Sequence, residues 1–345
     1  MQHAPHPTIS IIVPLYNVEQ YVAECLRSIA TQDFEDFEVL VVDDGSDDRS
    51  VAVAKETVAG DTRFKFFAVE HGGQSVARNK GLNEATGEFV MFLDSDDYHM
   101  PHSLSRIMTE IRAHDLDLLC FTAYTLYEDK QSADALKEDM MHRLGRDEVM
   151  SGPELFIWFE TCRQFWVSGP LQIVSRKLIE DHHIRLLEGA IHEDELYTVQ
   201  LLTYAKRVKF LNEPLYMRRI RQGSTMTRKR GMRNITSVWR ITRIMDSWIR
   251  NHGNEYPPKF VDMYARRIFE LRDTMGRDSI FVDDSELDAF EQTLSPRDRV
   301  EFKLFIRQNG RNIDRLYGDM TSTTSYRVGS KIAKAANRLP LPGRG

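Results

Sequence analysis

The sequence predicts an α/β fold: a mostly parallel sheet flanked by helices, followed by a helical C-terminal region. Two observations indicate this class. Over the first 125 residues, apolar runs rich in β-branched and aromatic residues alternate with segments of helical periodicity. The runs are apolar almost throughout, which is typical of strands that helices cover on both faces. Beyond about residue 227 only helical spacing remains.

Each predicted element follows from one of these two patterns. Continuous apolar runs predict strands at residues 9–13, 37–42, 64–69, 89–93, 116–125, 208–211 and 215–217. Apolar residues three and four positions apart predict helices at residues 18–30, 50–58, 74–85, 101–114, 153–159, 194–205, 235–248, 260–275, 287–294 and 299–307. Pro14 ends the first strand, Thr86-Gly87 ends the third helix, and Pro101 suits the first turn of the fourth.

Composition narrows the class of protein. The formal net charge of −6 and the pI near 6.0 argue against nucleic acid as a partner. Three widely spaced cysteines exclude a disulfide framework or a cysteine-based zinc site and fit a reducing cytoplasm. No apolar run approaches the ~20 residues of a membrane-spanning helix. Residues 1–7 lack the pattern of a signal peptide, so we expect a cytoplasmic protein.

Two acidic patches close predicted strands, Asp43-Asp44 after the second and residues 94–97 after the fourth. Such carboxylates do not belong in a core, because burying an unpaired charge is costly. Ligands of parallel sheets gather at the carboxyl ends of the strands. The Asp-x-Asp spacing of Asp94 and Asp96 offers oxygen ligands that Mg²⁺ or Mn²⁺ accepts together with substrate phosphates. We therefore expect the two patches to lie on neighbouring strands and to form one site.

The order of motifs along the chain resembles a known family. The motifs are Ser-Ile-Ile-Val-Pro-Leu-Tyr-Asn (10–17), Leu-Val-Val-Asp-Asp-Gly-Ser (40–46), Gly-Gln-Ser-Val-Ala-Arg-Asn (73–79), Phe-Leu-Asp-Ser-Asp-Asp (92–97) and His-Glu-Asp (192–194). As an ordered set they resemble the family 2 inverting glycosyltransferases, enzymes of the Rossmann-like GT-A fold that use nucleotide-sugar donors. The resemblance covers about residues 8–220.

This resemblance implies a domain organisation. Residues 1–228 would form the GT-A glycosyltransferase domain, with residues 8–125 as its nucleotide-sugar half and residues 126–228 as its acceptor half. We place the boundary in the basic run around residue 228, because the pattern beyond it is wholly helical. The remainder divides into a helical region, residues 229–319, and a basic tail, residues 320–345.

The resemblance also implies site residues. A UDP-sugar donor is expected to contact Pro14, Tyr16, Asn17, Asp43, Asp44, Gly73, Arg78, Asp94, Ser95, Arg219 and Arg221. Mn²⁺ or Mg²⁺ is expected to bind Asp96, Asp94 and Asp97. Among the donor contacts, Tyr16 would stack on uracil and Asp44 would accept from its N3–H. Asp194 is the expected general base, with Glu193 as the alternative, in a metal-dependent single displacement on an acceptor hydroxyl.

Each motif has a simpler explanation when it is taken alone. The corner 14–17 and the Asp-Gly-Ser run 44–46 could be ordinary turns. Arg78 and Asn79 could lie on a solvated helical face, and the acids at 193–194 could only complement a helix dipole. A calcium loop of the EF-hand type is excluded, because His99 and Ser105 stand where that loop needs Gly and Glu.

Two other functions stay open at this point. One is a non-catalytic nucleotide-sugar-binding scaffold, with the helical region as its interaction module. The other is a nucleotidyltransferase that makes nucleotide sugars, although residues 14–17 contain none of the glycine which that class needs after its first strand.

The basic tail bears on the partners. After Asp319 there is no acid, and five cations line an amphipathic pattern that suits an anionic membrane surface; a frayed, solvated tail is the alternative. We therefore expect a saccharide or lipid-linked saccharide acceptor and peripheral contact with the inner face of the cell membrane. The sequence leaves open whether the protein forms an oligomer.

Overall fold

The computed structural model describes residues 6–128, 146–165, 168–221 and 230–306. These residues form two compact units. The first unit, called the α/β unit below, comprises the described residues up to 155 together with 164–189 and 194–221. The second, called the helical unit, comprises residues 156–163, 190–193 and 230–306.

Nine described strands form one sheet in the α/β unit. They are β1 (Ile9–Leu15), β2 (Phe37–Asp43), β3 (Phe64–Ala68), β4 (Phe89–Phe92), β5 (Tyr98–His99), β6 (Leu118–Tyr127), β7 (Arg146–Met150), β8 (Gln172–Ser175) and β9 (Val208–Ile220). Their order is β3-β2-β1-β4-β8-β6-β9-β5, and β7 pairs with β9. Strands β1 to β4 pair in parallel, as do β6 and β9, which confirms the predicted class. β8 lies antiparallel between β4 and β6.

Of the α-helices in the described residues, seven precede residue 221 and four follow residue 230. The first seven are α1 (Val22–Ala30), α2 (Ser50–Thr57), α3 (Gln74–Glu84), α4 (Ser103–His114), α5 (Gly152–Thr161), α6 (Arg176–Asp181) and α7 (Glu193–Tyr204). The later ones are α8 (Met232–His252), α9 (Pro258–Asp278), α10 (Asp284–Thr293) and α11 (Pro296–Ile306). A helical C-terminal region is thereby confirmed. None of the described helices combines the length and apolarity needed to cross a membrane.

Helix α1 illustrates how the apolar pattern builds the core. Its buried residues Val22, Cys25, Leu26 and Ile29 follow the helical spacing and join one hydrophobic cluster with the buried strand β1. Burial of each such aliphatic side chain contributes about 1.5–3 kcal/mol. The sheet therefore gives a firm base to the loops at the carboxyl ends of its strands.

Strand β9 departs from the sequence-based expectation. Two short strands, 208–211 and 215–217, were expected on either side of Pro214, followed by a basic loop. The structure has one strand, Val208–Ile220, whose pairing with β6 shifts register beside Pro214. Proline cannot donate to the ladder, so the sequence shows a break, but an irregularity lets the strand continue. Arg218 and Arg219 therefore belong to the strand.

The helical unit has its own aromatic core. Trp239 of α8 packs edge-on against Phe302 of α11, with ring centroids 5.5 Å apart. Phe156, on the α5 segment that belongs to this unit, contacts Phe260 and Tyr264 of α9. Trp239 is buried, and Trp248 stacks on Tyr264 with ring centroids 5.3 Å apart, so both tryptophans are packing residues.

Candidate active site

The two acidic patches lie at the same edge of the sheet but not on adjacent strands. Asp43 ends β2 and Asp94 follows β4, and β1 runs between these strands. The expectation that the patches occupy neighbouring strands is therefore wrong by one strand. β1 places Pro14, paired with Val42, and the exposed corner that follows it between the two patches.

The corner after β1 is fastened to the loop after β2. Asn17 adopts a positive φ of 49° and donates from Nδ2 to Asp47 Oδ1 at 2.7 Å, while the Asp47 N–H donates back to Asn17 Oδ1. Asn17 therefore fixes the corner. Tyr16 is 42% exposed and stacks on His71, with ring centroids 4.4 Å apart.

Asp44 is buried, and its carboxylate binds the backbone of the loop before α3. Its carboxylate accepts from the backbone N–H groups of Gly72 at 2.8 Å and Gly73 at 2.9 Å, and His71 Nδ1 lies 3.0 Å from Oδ2. Gly73 has a φ of 93°, which favours glycine. Asp43 is more accessible, and its Oδ1 accepts from the Ser46 N–H. The acids of the first patch thus have different surroundings, and Asp43 is the one open to a ligand.

Asp97 is a buried carboxylate held by the protein itself. Its Oδ2 accepts from the Tyr216 hydroxyl at 2.8 Å and its Oδ1 from the Arg219 N–H at 2.7 Å. Burial, together with the charges of Asp96 and Asp94, holds the pKa of Asp97 well above its usual range. Asp97 therefore ties the second patch to β9.

Asp96 faces two arginines of the β9 end. Its Oδ2 accepts from Arg221 Nε at 2.9 Å, and its backbone carbonyl accepts from Arg219 Nε at 2.9 Å. Arg219 also donates to Glu128 at 2.9 Å and pairs with Glu24. Arg219 and Arg221, two of the three predicted donor-binding arginines, thus lie at the acidic patch, and Ser95 between the two acids is buried.

Arg78 bridges the second patch to the acid pair that opens α7. This side chain is 1% exposed; its Nη2 donates to Asp94 Oδ1 and its Nη1 to Asp194 Oδ1, each at 2.8 Å. Burial raises the pKa of Asp94, and Arg78 opposes this rise. Asp194 is 22% exposed, whereas Glu193 is buried.

The sequence missed several residues of this cluster. Tyr216 links Asp97 to the Asp94 N–H, which donates to its hydroxyl at 3.2 Å. Gly169 lies so close that an added Cβ would stand 3.0 Å from Asp194 Oδ1. His71 covers one face of Tyr16. The Gly-Gly and Gly-Pro pairs beside these positions are the only sequence signals, and both indicate no more than turns.

Metal ligands are sparse in the structure. Within the described ranges no three His, Cys, Asp or Glu side chains are arranged to hold a metal ion. Asp94 and Asp96 lie in the same patch, and each accepts hydrogen bonds on one named oxygen. A carboxylate pair of this kind suits Mg²⁺ or Mn²⁺ only when other oxygens complete the coordination.

Comparison with known proteins matches the N-terminal part of the chain to a known family. Residues 10–161 match the family described as "Glycosyl transferase family 2". The chain thus carries a glycosyltransferase family 2 domain over these residues. This glycosyltransferase is 27% identical over 252 residues to the glycosyltransferase YibD of Escherichia coli (strain K12), and the match covers 72% of each chain. It is 32% identical over 212 residues to the poly(ribitol-phosphate) β-N-acetylglucosaminyltransferase TarS of Staphylococcus aureus (strain Mu50 / ATCC 700699). That match covers 60% of this glycosyltransferase and 34% of TarS.

Solved structures share the fold of this glycosyltransferase. TarS residues 1–349 from S. aureus, in complex with UDP-GlcNAc, align with a TM-score of 0.58 at 21% identity, over 88% of this chain and 92% of that one. The mannosyltransferase PcManGT of Pyrobaculum calidifontis, in complex with GDP-Man and Mn²⁺, aligns with a TM-score of 0.53 at 16% identity, over 97% and 87%. These similarities establish a GT-A-like fold.

Proposed function

We propose that this glycosyltransferase transfers a sugar from a UDP-sugar to a hydroxyl of a saccharide or lipid-linked saccharide acceptor. The observation that carries the proposal is the Asp94–Arg78–Asp194 bridge, which joins the Asp-x-Asp patch to a partly exposed carboxylate. A donor bound at the Asp-x-Asp patch would then lie close to an acceptor hydroxyl bound at Asp194. The similarity to TarS, which was solved with UDP-GlcNAc, supports UDP as the nucleotide.

The uridine end of the donor would lie at the corner after β1. Tyr16 and His71 form an exposed stacked pair on which a base can pack. We assign the contact with uracil N3–H to Asp43 rather than Asp44, because Asp44 is buried and already accepts from Gly72 and Gly73. Asp44 would then act by holding the loop that carries His71.

A divalent ion would bind at Asp96 and Asp94, with the donor diphosphate supplying further oxygens. The PcManGT structure, which contains Mn²⁺ with its sugar nucleotide, supports the use of a divalent ion. Bound there, the ion would stabilise the negative charge on the departing UDP. Asp97 has both oxygens engaged, so we give it a supporting role and not that of a ligand. Arg219 and Arg221 flank this site and would add positive charge.

The chemical step would be a single displacement. The acceptor oxygen forms a bond to the anomeric carbon while the bond from that carbon to the β-phosphate oxygen breaks. The acceptor proton passes to Asp194, and UDP leaves with the electron pair. Attack from the face opposite UDP converts an α-linked donor into a β-linked product. We favour Asp194 over Glu193 as the base because it is the more exposed.

The proposal is tested by UDP release from a panel of UDP-sugars in the presence of Mn²⁺. We expect one or a few donors to be hydrolysed slowly without acceptor. Asp96→Ala should lose this activity, whereas Asp262→Ala, at a half-buried position on α9 outside the proposed site residues, should keep it. If no UDP-sugar is bound or consumed, the proposal fails. Binding of a UDP-sugar with no turnover under any condition would favour the non-catalytic scaffold.

A further inference from the structure

Arg78 is the most deeply buried charged side chain of the candidate site. The sequence predicts it as a donor contact. In the structure it is 1% exposed, and two of its nitrogens already donate to carboxylates. A phosphate or base would have to displace Asp94 or Asp194 to reach those nitrogens. The geometry therefore points to a role inside the protein.

The surroundings of Arg78 hold its guanidinium in one orientation. Its Cζ lies 5.0 Å from the centroid of the Phe92 ring, and that ring packs on Tyr197 of α7 at 5.5 Å. Gly169 lies against the same group: a Cβ there would stand 3.5 Å from Arg78 Nη1 and 3.3 Å from Phe92. The face of the Phe92 ring and Gly169 thus leave a flat space that fits the planar guanidinium group of Arg78.

We infer that Arg78 is a positioning residue for the general base. Its fork fixes Asp194 Oδ1 relative to Asp94 and thereby directs Oδ2 toward the acceptor hydroxyl. The inference rests on the proposed function, in which Asp94 belongs to the donor site and Asp194 takes the proton. Arg78 would set the distance between the two halves of the reaction without touching either substrate.

Lysine cannot replace Arg78 in this role. An ammonium group is a point charge on a flexible stem, whereas the guanidinium directs N–H groups at two acceptors at once. Arg78→Lys keeps the buried positive charge, but its single nitrogen cannot occupy the positions of both Nη1 and Nη2, so it cannot hold the two carboxylates at their present spacing. A misplacement of about 1 Å in the catalytic geometry can cost on the order of 100-fold in rate.

The test is a double-mutant cycle with Arg78→Lys, Asp194→Asn and the double variant, using the donor found by the UDP-release screen. We expect Arg78→Lys to lower kcat about 100-fold and to leave the calorimetric Kd for UDP within about twofold of wild type. Added to Asp194→Asn, it should lower kcat no further, because it acts through that carboxylate. As a control, Arg272→Lys removes a buried guanidinium that lies near Asp246 and Glu301 of the helical unit, and it should keep kcat.

A second readout guards against a folding defect. Methylguanidinium should restore part of the kcat of Arg78→Ala and should not rescue Asp194→Asn. Weaker UDP binding by Arg78→Lys with kcat unchanged would show a donor ligand and overturn the inference. Multiplying effects in the double variant would also overturn it. Normal turnover by Asp194→Asn would instead refute the proposed base itself, and that outcome is distinct from a failure of Arg78 alone.

Discussion

At the scale of single residues, the candidate site is a set of carboxylates whose partners differ. Asp44 and Asp97 are buried and fully used by backbone N–H groups, a histidine or a tyrosine. Asp43 and Asp194 are more accessible. The sequence indicates that these acids lie at strand and helix ends, because their types and positions are local facts. It cannot tell which of them are already satisfied.

The pairing of Arg78 with Asp194 shows why the sequence does not reveal which of these acids already have hydrogen-bond partners. The two residues are 116 positions apart, and the hydrogen bond between them depends on how β4, α3 and α7 meet. Only the resemblance to a family relates the motifs, and it assigns Arg78 to the donor. Tertiary contacts of this kind lie beyond periodicity and spacing.

Gly169 provides a prediction at this scale. In Gly169→Ala the new methyl group would stand 3.0 Å from Asp194 Oδ1 and 3.3 Å from Phe92, so Asp194 must shift. We expect kcat for sugar transfer to fall at least tenfold, with the Kd for UDP unchanged by calorimetry. Gly231→Ala is the matched control, because nothing lies within 4 Å of its added Cβ. Equal kcat in the two variants would contradict this account of the site.

At the scale of elements, the first part of the α/β unit, up to α4, is the best predicted part of the fold. Strands β1 to β4 and helices α1 to α4 begin and end within a few residues of expectation, because each carries a clean apolar period bounded by turn residues. β5 has two residues and no periodicity, so nothing in the sequence marks it. The sequence predicts no element between residues 126 and 152, but the structure has β7 (Arg146–Met150) there, and residues 129–145 lie outside the described residues.

Glu38 on β2 joins three neighbouring elements. Its buried carboxylate accepts from Ser10 Oγ of β1 at 2.7 Å, from Lys65 Nζ of β3 at 2.7 Å, and from the N–H and hydroxyl of Thr86. Burial alone would raise the pKa of Glu38, but these donors outweigh it and lower the pKa. The ionised form is therefore stabilised in the folded state.

Glu38→Gln should lower the free energy of unfolding by about 1.5–3 kcal/mol at neutral pH, because its amide nitrogen would face Lys65. Since the folded pKa lies below the unfolded one, the contribution is complete above about pH 5 and is lost as the pH falls through the folded pKa. Urea unfolding at several pH values measures it, with the exposed Glu35→Gln as control. A difference between wild type and Glu38→Gln that does not shrink in acid would contradict the assignment.

At the scale of the whole molecule, each of the two units is built from separate stretches of the chain. Residues 156–163 and 190–193 belong to the helical unit although α/β segments surround them in sequence. No sequence pattern marks these short segments, because packing partners far along the chain define them. The role of the helical region as an interaction module in the scaffold alternative stays a prediction, as do the three-part domain scheme and the location in the cell.

The basic tail is the part of the chain that bears on membrane contact. It lies outside the described residues, so the prediction rests on its sequence alone, on five cations along an amphipathic pattern without an acid. Each cation near an anionic surface contributes about 1 kcal/mol. We expect the 345-residue chain to float with anionic liposomes and not with zwitterionic ones, and a chain ending at Asp319 to stay unbound in both. Equal flotation of the two chains would remove the tail from the account.

The central claim, that Asp194 takes the acceptor proton beside a bound UDP-sugar, is tested most directly by Asp194→Asn. Turnover by UDP release and affinity for UDP by calorimetry are measured on the same preparation, next to wild type. We expect Asp194→Asn to lose turnover by at least 100-fold, because loss of a general base costs roughly 10²–10⁴-fold, and to keep the wild-type Kd for UDP. Turnover at the wild-type rate, or loss of UDP binding together with turnover, would contradict the claim.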